Sequence, residues 1–345
     1  MSDKNIILNV GPNDSGRRLD RIIRKLFGEL PLSAIYKLFR NGKIKVNGKK
    51  TDSAYRCAYG DIIEVDLPDG LLQDFPVTSS KNAGRPEGFE NADCLASEQN
   101  KRFSSLVLFE TPDLCVVNKP KGMLSHGPGG LNELAKAYYR KRIEESLIFS
   151  PAPLHRLDRN SSGAIAIAAS QLGAAAFSKA LRDGKIDKYY LALVSGKLSQ
   201  KAVWEDKILR NRQTKQSSVH KDGVHAKLEA FPLLFNETAS LVLIRLHTGI
   251  THQIRVQAAA RGFPLLGDKK YMGKRTSTNG YFLHAALLYL PKEAGLDKPK
   301  AILAPLSTWA KQFLFDVFGA DYGPEAVKAL DLYMHDYMVE LKKLF

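Results

Sequence analysis

The chain has 345 residues, enough for two or three domains and a sizeable buried core. Its formal charge of +15 favours an anionic partner, nucleic acid first. Three scattered cysteines (Cys57, Cys94, Cys115) form neither a disulfide framework nor a C-x-x-C metal pair. The opening "MSDKNIILNV" is too short and polar for a signal peptide, and no apolar run reaches the length of a membrane span. The composition therefore predicts a cytoplasmic protein, monomeric and without a membrane partner.

From Arg17 to Lys50 there are eleven Lys or Arg and two acidic residues, Asp20 and Glu29. Leu19, Ile22, Ile23, Leu26 and Phe27 follow the i, i+3, i+4, i+7 spacing of an amphipathic helix with a basic outer face. A second helix is predicted from Leu32 and Ser33, stopped by Gly42. "KIKVNG" predicts a strand turning at Asn47-Gly48, and "DIIEVDLP" a closing strand. The segments "RRLDRIIRKL", "IYKLFRNGKIKVNGK" and "YGDIIEV" resemble the alpha-L type RNA-binding domain over about Arg17 to Leu67. The resemblance implies that the helix pair faces structured RNA, with Arg17, Arg18, Arg21, Lys37, Arg40 and Lys43 as contacts. A solvated basic helix with a hairpin is the plainer alternative.

The stretch 69–103 is rich in Gly, Pro, Ser and Asn without a sustained period, and is expected to be a flexible linker. Beyond it, "SSLVLFETPDLCVVNKPKG" predicts two strands about a Thr-Pro-Asp turn and then a Lys-Pro-Lys-Gly loop. "NELAKAYYRKRIEES" predicts a helix, as does the run from Gln171 to Arg182. Strands follow at "KYYLALVSG", "HAKLEAF" and "SLVLIRLH", then a helix "HQIRVQAAARG" ended by Gly262. Irregular interleaving of strands and helices predicts an α+β fold with a mixed, largely antiparallel sheet and flanking helices. The expected division is an RNA-binding domain over 1–69, a linker over 70–103, a catalytic domain over 104–319 and a helical extension over 320–345.

"PLHRLDRNSSGAIAIAAS" places Asp158 between Arg156 and Arg159, just before an apolar strand. Burying an unpaired carboxylate is costly, so Asp158 should be paired, exposed in a cleft, or at work. Taken alone it could simply cap the turn that leads to Gly163. Five segments in order nevertheless match one family. "HRLDRNSSG" looks like the H-R-L-D-x-x-x-S-G signature of the RluA-type pseudouridine synthases. "VVNKPKGMLSH", "KYYLALVSG" and "LHTGITHQIRVQ" resemble further motifs, while "PLLGDKKY" and "FLHAALLYL" together resemble the closing segments. The resemblance spans roughly Leu106 to Leu290.

It implies that Asp158 is the catalytic carboxylate, Arg255 its ion-pair partner, and Tyr190 the tyrosine packed on the target base. The reaction breaks the N1–C1′ bond of a uridine, turns the uracil and joins C5 to C1′. Its atoms balance, so no cofactor is expected. The carboxylate either attacks C1′ or removes the 2′ proton, and the sequence leaves both routes open. The uridine must leave its stack, and the resemblance gives Arg156 the task of holding the distorted RNA. His155 is expected to be a packed turn histidine, with contact to substrate as the alternative. Lys119 and Lys121 are expected at phosphate or solvent. Tyr189 competes with Tyr190, but strand alternation lets only one of them enter a pocket. Arg255 could instead be a surface arginine. His247 and His252, five apart across a turn, are poorly spaced for a metal, and none is expected.

Two positions depart from the family pattern. Ile250 stands where an arginine is usual, and Gln257 where a histidine is usual. Both put a backbone contact at the rim in doubt, with Arg261, Lys269 or Lys270 as substitutes. Large-subunit ribosomal RNA is the expected substrate. Transfer RNA, a non-catalytic assembly factor and a hydrolase are the alternatives, the last weakened by the want of a second carboxylate at a suggestive position.

Overall fold

A computed structural model describes residues 4–67, 89–273 and 280–319. These fall in two compact units. One contains residues up to 105 with 134–152 and 169–172; the other contains 106–133, 153–168 and residues from 173 on.

The first unit opens with a strand missed in the sequence, β1 (Lys4–Asn9), paired antiparallel along its length with β4 (Ile62–Leu67). The predicted helices are α1 (Leu19–Leu26) and α2 (Leu32–Arg40), and the predicted hairpin is β2 (Ile44–Val46) with β3 (Lys49–Lys50). Asn47 and Gly48 both take positive φ, 51° and 74°, as a two-residue hairpin turn requires. Leu19, Ile22 and Ile23 are fully buried against Ile35, Ile44 and Ile63, so the apolar stripe faces the sheet and the basic face points out.

Helix α3 (Phe89–Ser104) replaces most of the second half of the expected linker. Its fixed point is Phe103, fully buried with ring centroids 4.7 Å from Tyr138 and 6.0 Å from Tyr139. One aromatic anchor makes no sequence period, which is why the helix escaped detection. The predicted helix at 132–146 is broken at Tyr139 into α4 (Leu131–Tyr138) and α5 (Arg140–Glu144). The segment after it belongs with the N-terminal unit because buried Asp14 binds it: Asp14 accepts from the Ser146 hydroxyl at 2.8 Å, the Leu147 amide at 2.7 Å and the Ile148 amide at 3.2 Å. Ile148 then joins the core beneath α1. The expected extension over 320–345 lies outside the described residues.

The second unit is built on one sheet that holds eleven strands among the described residues. These are β5 (Val107–Glu110), β6 (Leu114–Lys119), β7 (Ala152–Pro153), β8 (Ser162–Ala168), β9 (Asp187–Ser195), β10 (Ala202–Asn211), β11 (Gln216–Val219), β12 (Val224–Phe235), β13 (Ala239–Leu246), β14 (Leu283–Leu290) and β15 (Lys300–Leu303). The main path runs β11-β10-β12-β13-β9-β14-β8-β6-β5. Only β14 with β8 is parallel among the described pairings, so the mixed, largely antiparallel α+β class holds. The β10–β11 hairpin was not foreseen. Helices α6 (Gln171–Arg182) and α7 (Gln253–Ala260) match the predicted ones, and α8 (Thr308–Phe318) follows β15.

Two apolar layers hold this sheet. Phe177 and Ala180 of α6 pack on Leu114, Val116, Ala164 and Ala166, while Phe313 and Leu314 of α8 pack on Tyr189, Leu191 and Leu193. Gly163 makes the junction at the head of β8 possible. Its φ is 110°, and a Cβ there would lie 2.2 Å from the Ala285 carbonyl oxygen. Any side chain would separate β8 from β14, just beyond the Asp158 turn.

Candidate active site

The turn bearing Asp158 is held from several sides. The Ser125 hydroxyl donates to the Leu157 carbonyl (2.9 Å) and accepts from the Leu157 amide (3.1 Å). The Gly122 amide donates to the Arg159 carbonyl at 2.8 Å, and the Ser161 amide to the Asp158 carbonyl at 3.1 Å. Lys119, expected at phosphate or solvent, is instead fully buried. Its ammonium donates to the carbonyls of Met123 (2.8 Å), Pro120 (3.0 Å) and Arg159 (3.4 Å), so it fastens the loop. Burial pulls its pKa down to about 8, opposed by the Asp158 charge. Lys121 stacks over Trp309, 3.2 Å from the ring centroid, an apolar setting that also depresses its pKa to about 8.

His155 ties the turn to β8. Its Nε2 accepts from the Ala166 amide at 3.0 Å, and its ring stacks on Phe177 at 5.8 Å. An acceptor nitrogen cannot carry a proton, and burial pushes the pKa down to about 3, helped by the charge of Lys188. The unfolded chain binds a proton near pH 6.5, whereas the folded chain resists until about pH 3. Stability from this group is therefore complete above pH 6.5 and falls as the pH drops toward 3. We expect it to cost about 3 kcal/mol between pH 6.5 and pH 4. His155→Gln keeps an acceptor without a titrating ring. Urea denaturation across that range should show a flatter stability–pH curve in the variant, and parallel curves would refute the assignment.

Asp158 faces Arg255, which reaches the site because α7 begins beside it. The Arg255 Nη1 donates to Asp158 Oδ2 at 3.0 Å. Its other edge is clamped by a carboxylate the sequence did not single out. Asp268 accepts from Nε at 2.6 Å and from Nη2 at 2.8 Å. Arg255 is thus a buried bridge between two carboxylates, and lies 4.5 Å from the Tyr281 ring centroid and 4.9 Å from that of Tyr271. Burial alone would lower its pKa, but the Asp268 bonds and the surrounding negative charge raise it, so it stays charged. Asp268 lies in "LLGDKK", where a lone Asp after Gly resembles an ordinary turn residue. It is also one, accepting from the Lys270 amide at 3.2 Å. Only a folded chain reveals the pairing across thirteen residues.

Tyr190 and Tyr189 divide as strand alternation requires. Tyr189 joins the core under α8, while Tyr190 lines the cavity that contains Asp158. Burial raises the Tyr190 pKa and the Asp158 charge raises it further, so its phenol stays protonated. The cavity measures about 280 Å³. Its wall also includes exposed Arg156, which places that residue at the mouth, and His252. His252 takes a left-handed φ of 62° at the start of α7. Its Nδ1 lies 2.7 Å from the Tyr271 hydroxyl and its Nε2 lies 3.7 Å from Asp158 Oδ2. Burial holds its pKa down to about 4, against the pull of Asp158. His247 bonds Glu229 at 2.8 Å instead.

The two departures from the family pattern have structural accounts. Gln257 is fully buried, not at a rim. Its amide nitrogen lies 2.7 Å from Asp206 Oδ2 and 3.2 Å from the Trp204 carbonyl, and its Oε1 accepts from Gln253 at 3.1 Å. Ile250 borders the cavity and packs, half-buried, against Ile208, Ala226 and Val256. Of the suggested substitutes, Arg261 pairs with Asp206 at 2.8 Å and Lys270 bonds the Lys215 carbonyl at 2.6 Å; Lys269 is exposed.

In the first unit, Arg17 is half-buried and bonded to the Gln171 side chain. Arg18 forks onto Asp20 at 3.1 and 2.9 Å. Arg21, Lys37 and Arg40 are exposed, and Lys43 is half-buried.

The mixed sheet thus carries a carboxylate–arginine–carboxylate bridge beside a buried tyrosine. The sequence profile of the RNA pseudouridylate synthases matches residues 113–260. A Buchnera aphidicola protein (subsp. Schizaphis graminum) named ribosomal large subunit pseudouridine synthase C is 30% identical over 324 residues, covering 89% of this chain and 96% of its own. The Vibrio vulnificus protein of that name is 28% identical, covering 87% and 92%. The chain belongs to the RNA pseudouridylate synthase family and is an isomerase. Its fold is also that of human RNA pseudouridylate synthase domain containing 4, with a TM-score of 0.54 at 20% identity over 64% of this chain and 97% of that one.

Proposed function

We propose that the protein isomerises uridines of large-subunit ribosomal RNA, with Asp158 acting on the sugar of a nucleotide flipped into the cavity. The observation that carries the reading is the bridge itself. Arg255 holds the Asp158 carboxylate with one edge while Asp268 fixes the other. Such a carboxylate is aimed before substrate arrives, so little reorganisation is left for the reaction. Either as nucleophile at C1′ or as base at C2′, it needs the uridine outside its stack. The cavity volume, near the lower end of small-ligand pockets at roughly 300 Å³, suits one base and its ribose. Tyr190 forms the wall on which the base rests, and Arg156 at the mouth supports the displaced backbone.

Ribosomal RNA is favoured by the names of the relatives and by the basic face of the first unit, where Arg21, Lys37 and Arg40 are free of the internal bonds made by Arg17 and Arg18. Tritium release from 5-labelled uridine should be faster with large-subunit ribosomal RNA than with transfer RNA; the reverse order would assign the enzyme to transfer RNA. Deleting 1–69 would strip Ile148 of its core, so point variants are the better probe of capture. Arg21→Gln, Lys37→Gln and Arg40→Gln combined should raise KM and leave kcat alone. The log–log salt dependence of binding should flatten by about 0.9 for each phosphate no longer neutralised on duplex RNA, if it behaves as duplex DNA does. An unchanged slope would assign RNA capture to the catalytic unit.

A further inference from the structure

Lys188 is a buried cation with no hydrogen bond or ion pair of its own among the described residues. It precedes Tyr189 on β9, so its side chain shares the face of Tyr190 and lines the Asp158 cavity. It is 9% exposed. The adjacent carboxylate, Asp187, is taken by Arg245 at 2.9 and 3.1 Å. Asp158 is taken by Arg255. His155, nearby, is held neutral by the Ala166 amide. A charge buried without a partner is destabilising, and such groups persist where a ligand supplies the partner. Gly249 leaves room beside the ammonium, since even a Cβ there would stand 3.8 Å from Nζ. Leu154, Leu181, Leu246 and Leu283 add apolar surface to the same cavity, which suits a flat base.

We propose that Lys188 is a catalytic residue that donates a hydrogen bond to uracil O2 and carries the negative charge of the base as it leaves the sugar. The inference rests on the reading of Asp158 given above. When the N1–C1′ bond breaks, its electron pair stays on N1 and spreads onto O2 and O4. C1′ either gains a bond to the Asp158 carboxylate, or becomes doubly bonded to C2′ as Asp158 takes the 2′ proton. Both routes expel the same anion, and in both the ammonium stabilises it without giving up its proton. C5 then attacks C1′, breaking the C1′–oxygen bond to Asp158 on the first route, or adding across the C1′–C2′ double bond as Asp158 returns its proton to C2′ on the second. The proton on C5 is then lost and N1 is protonated, so the anion is consumed and Asp158 and Lys188 are restored. Burial lowers the Lys188 pKa, opposed by Asp187, which makes the ammonium a stronger donor.

The test is single-turnover loss of the target nucleoside, with enzyme in excess, on RNA carrying uridine, 5-fluorouridine or 2-thiouridine at the target. Fluorine makes the base a better leaving group, so it needs less stabilisation. Lys188→Met, with Lys188→Gln made in parallel, should be about 100-fold slower on uridine, as for loss of one preorganised donor. On 5-fluorouridine the deficit should shrink below tenfold. Sulfur accepts hydrogen bonds poorly, so wild-type enzyme should be slower on 2-thiouridine, and this penalty should vanish in the variants. Equal deficits on uridine and 5-fluorouridine would overturn the proposal, as would a raised KM at unchanged kcat or a 2-thiouridine penalty that persists. Asp158→Asn run alongside separates the two levels. If it too is active, the reading of the site fails; if it is dead while Lys188→Met turns over like wild type, only the role of Lys188 fails.

Discussion

Asp158→Asn is expected to lower pseudouridine formation by about four orders of magnitude or more, the scale of losing a covalent nucleophile or its equivalent. The fold should survive. Asparagine matches aspartate in volume and still offers an oxygen to Arg255 Nη1, now 3.0 Å from Asp158 Oδ2. Arg255 keeps its two bonds to Asp268, so no buried cation is stranded. The change in stability should stay within about 1 kcal/mol. RNA affinity should hold, since a negative charge has been removed from a site that receives a polyanion. Tritium release from 5-labelled uridine RNA measures the first effect, and a melt with a binding curve measures the others. Turnover within tenfold of wild type would remove Asp158 from the reaction.

The parts of the molecule legible in the sequence are those specified locally. Helix α1 is announced by the spacing of Leu19, Ile22, Ile23 and Leu26, because the first three are buried in one core and Leu26 packs half-buried against it. The hairpin at Asn47-Gly48 is announced by two residues that tolerate positive φ. That only one of Tyr189 and Tyr190 enters the cavity follows from two-residue alternation along β9, and the family resemblance singled out Tyr190. What was missed depends on contacts between distant segments. Strand β1 exists because β4 offers an edge, α3 because Phe103 finds Tyr138 and Tyr139, and the partition of the chain because Asp14 captures residues 146–148. Lys119 shows the limit most sharply. A lysine in a Lys-Pro-Lys-Gly loop looks solvent-facing until three carbonyls close on its ammonium. The second carboxylate of the site was likewise hidden, because Asp268 has its meaning only once α7 brings Arg255 to it.

Arg255→Met should cost both activity and stability, and the two losses should come apart. The guanidinium is buried, with its side chain 7% exposed, and Asp268 beneath it is 1% exposed. Removing the cation leaves Asp268 without a counter-charge, and breaking a buried pair from one side costs about 3–5 kcal/mol. Asp158 is more open, at 17%, and recovers some hydration, so most of the stability loss belongs to Asp268. Catalysis is lost through Asp158, which loses the bond that aims it. Arg255→Met combined with Asp268→Asn should therefore regain most of the stability, because cation and stranded anion are removed together. It should regain none of the activity, because nothing then orients Asp158. Arg255→Lys is the intermediate case. A lysine keeps the charge, but a single ammonium cannot fork onto Asp268 and reach Asp158 at once, so stability should fall less than activity. Urea denaturation beside single-turnover tritium release reads both quantities. Recovery of turnover in the double variant would show that Arg255 serves the fold alone, and a single variant as stable as wild type would show that the bridge to Asp268 does not form.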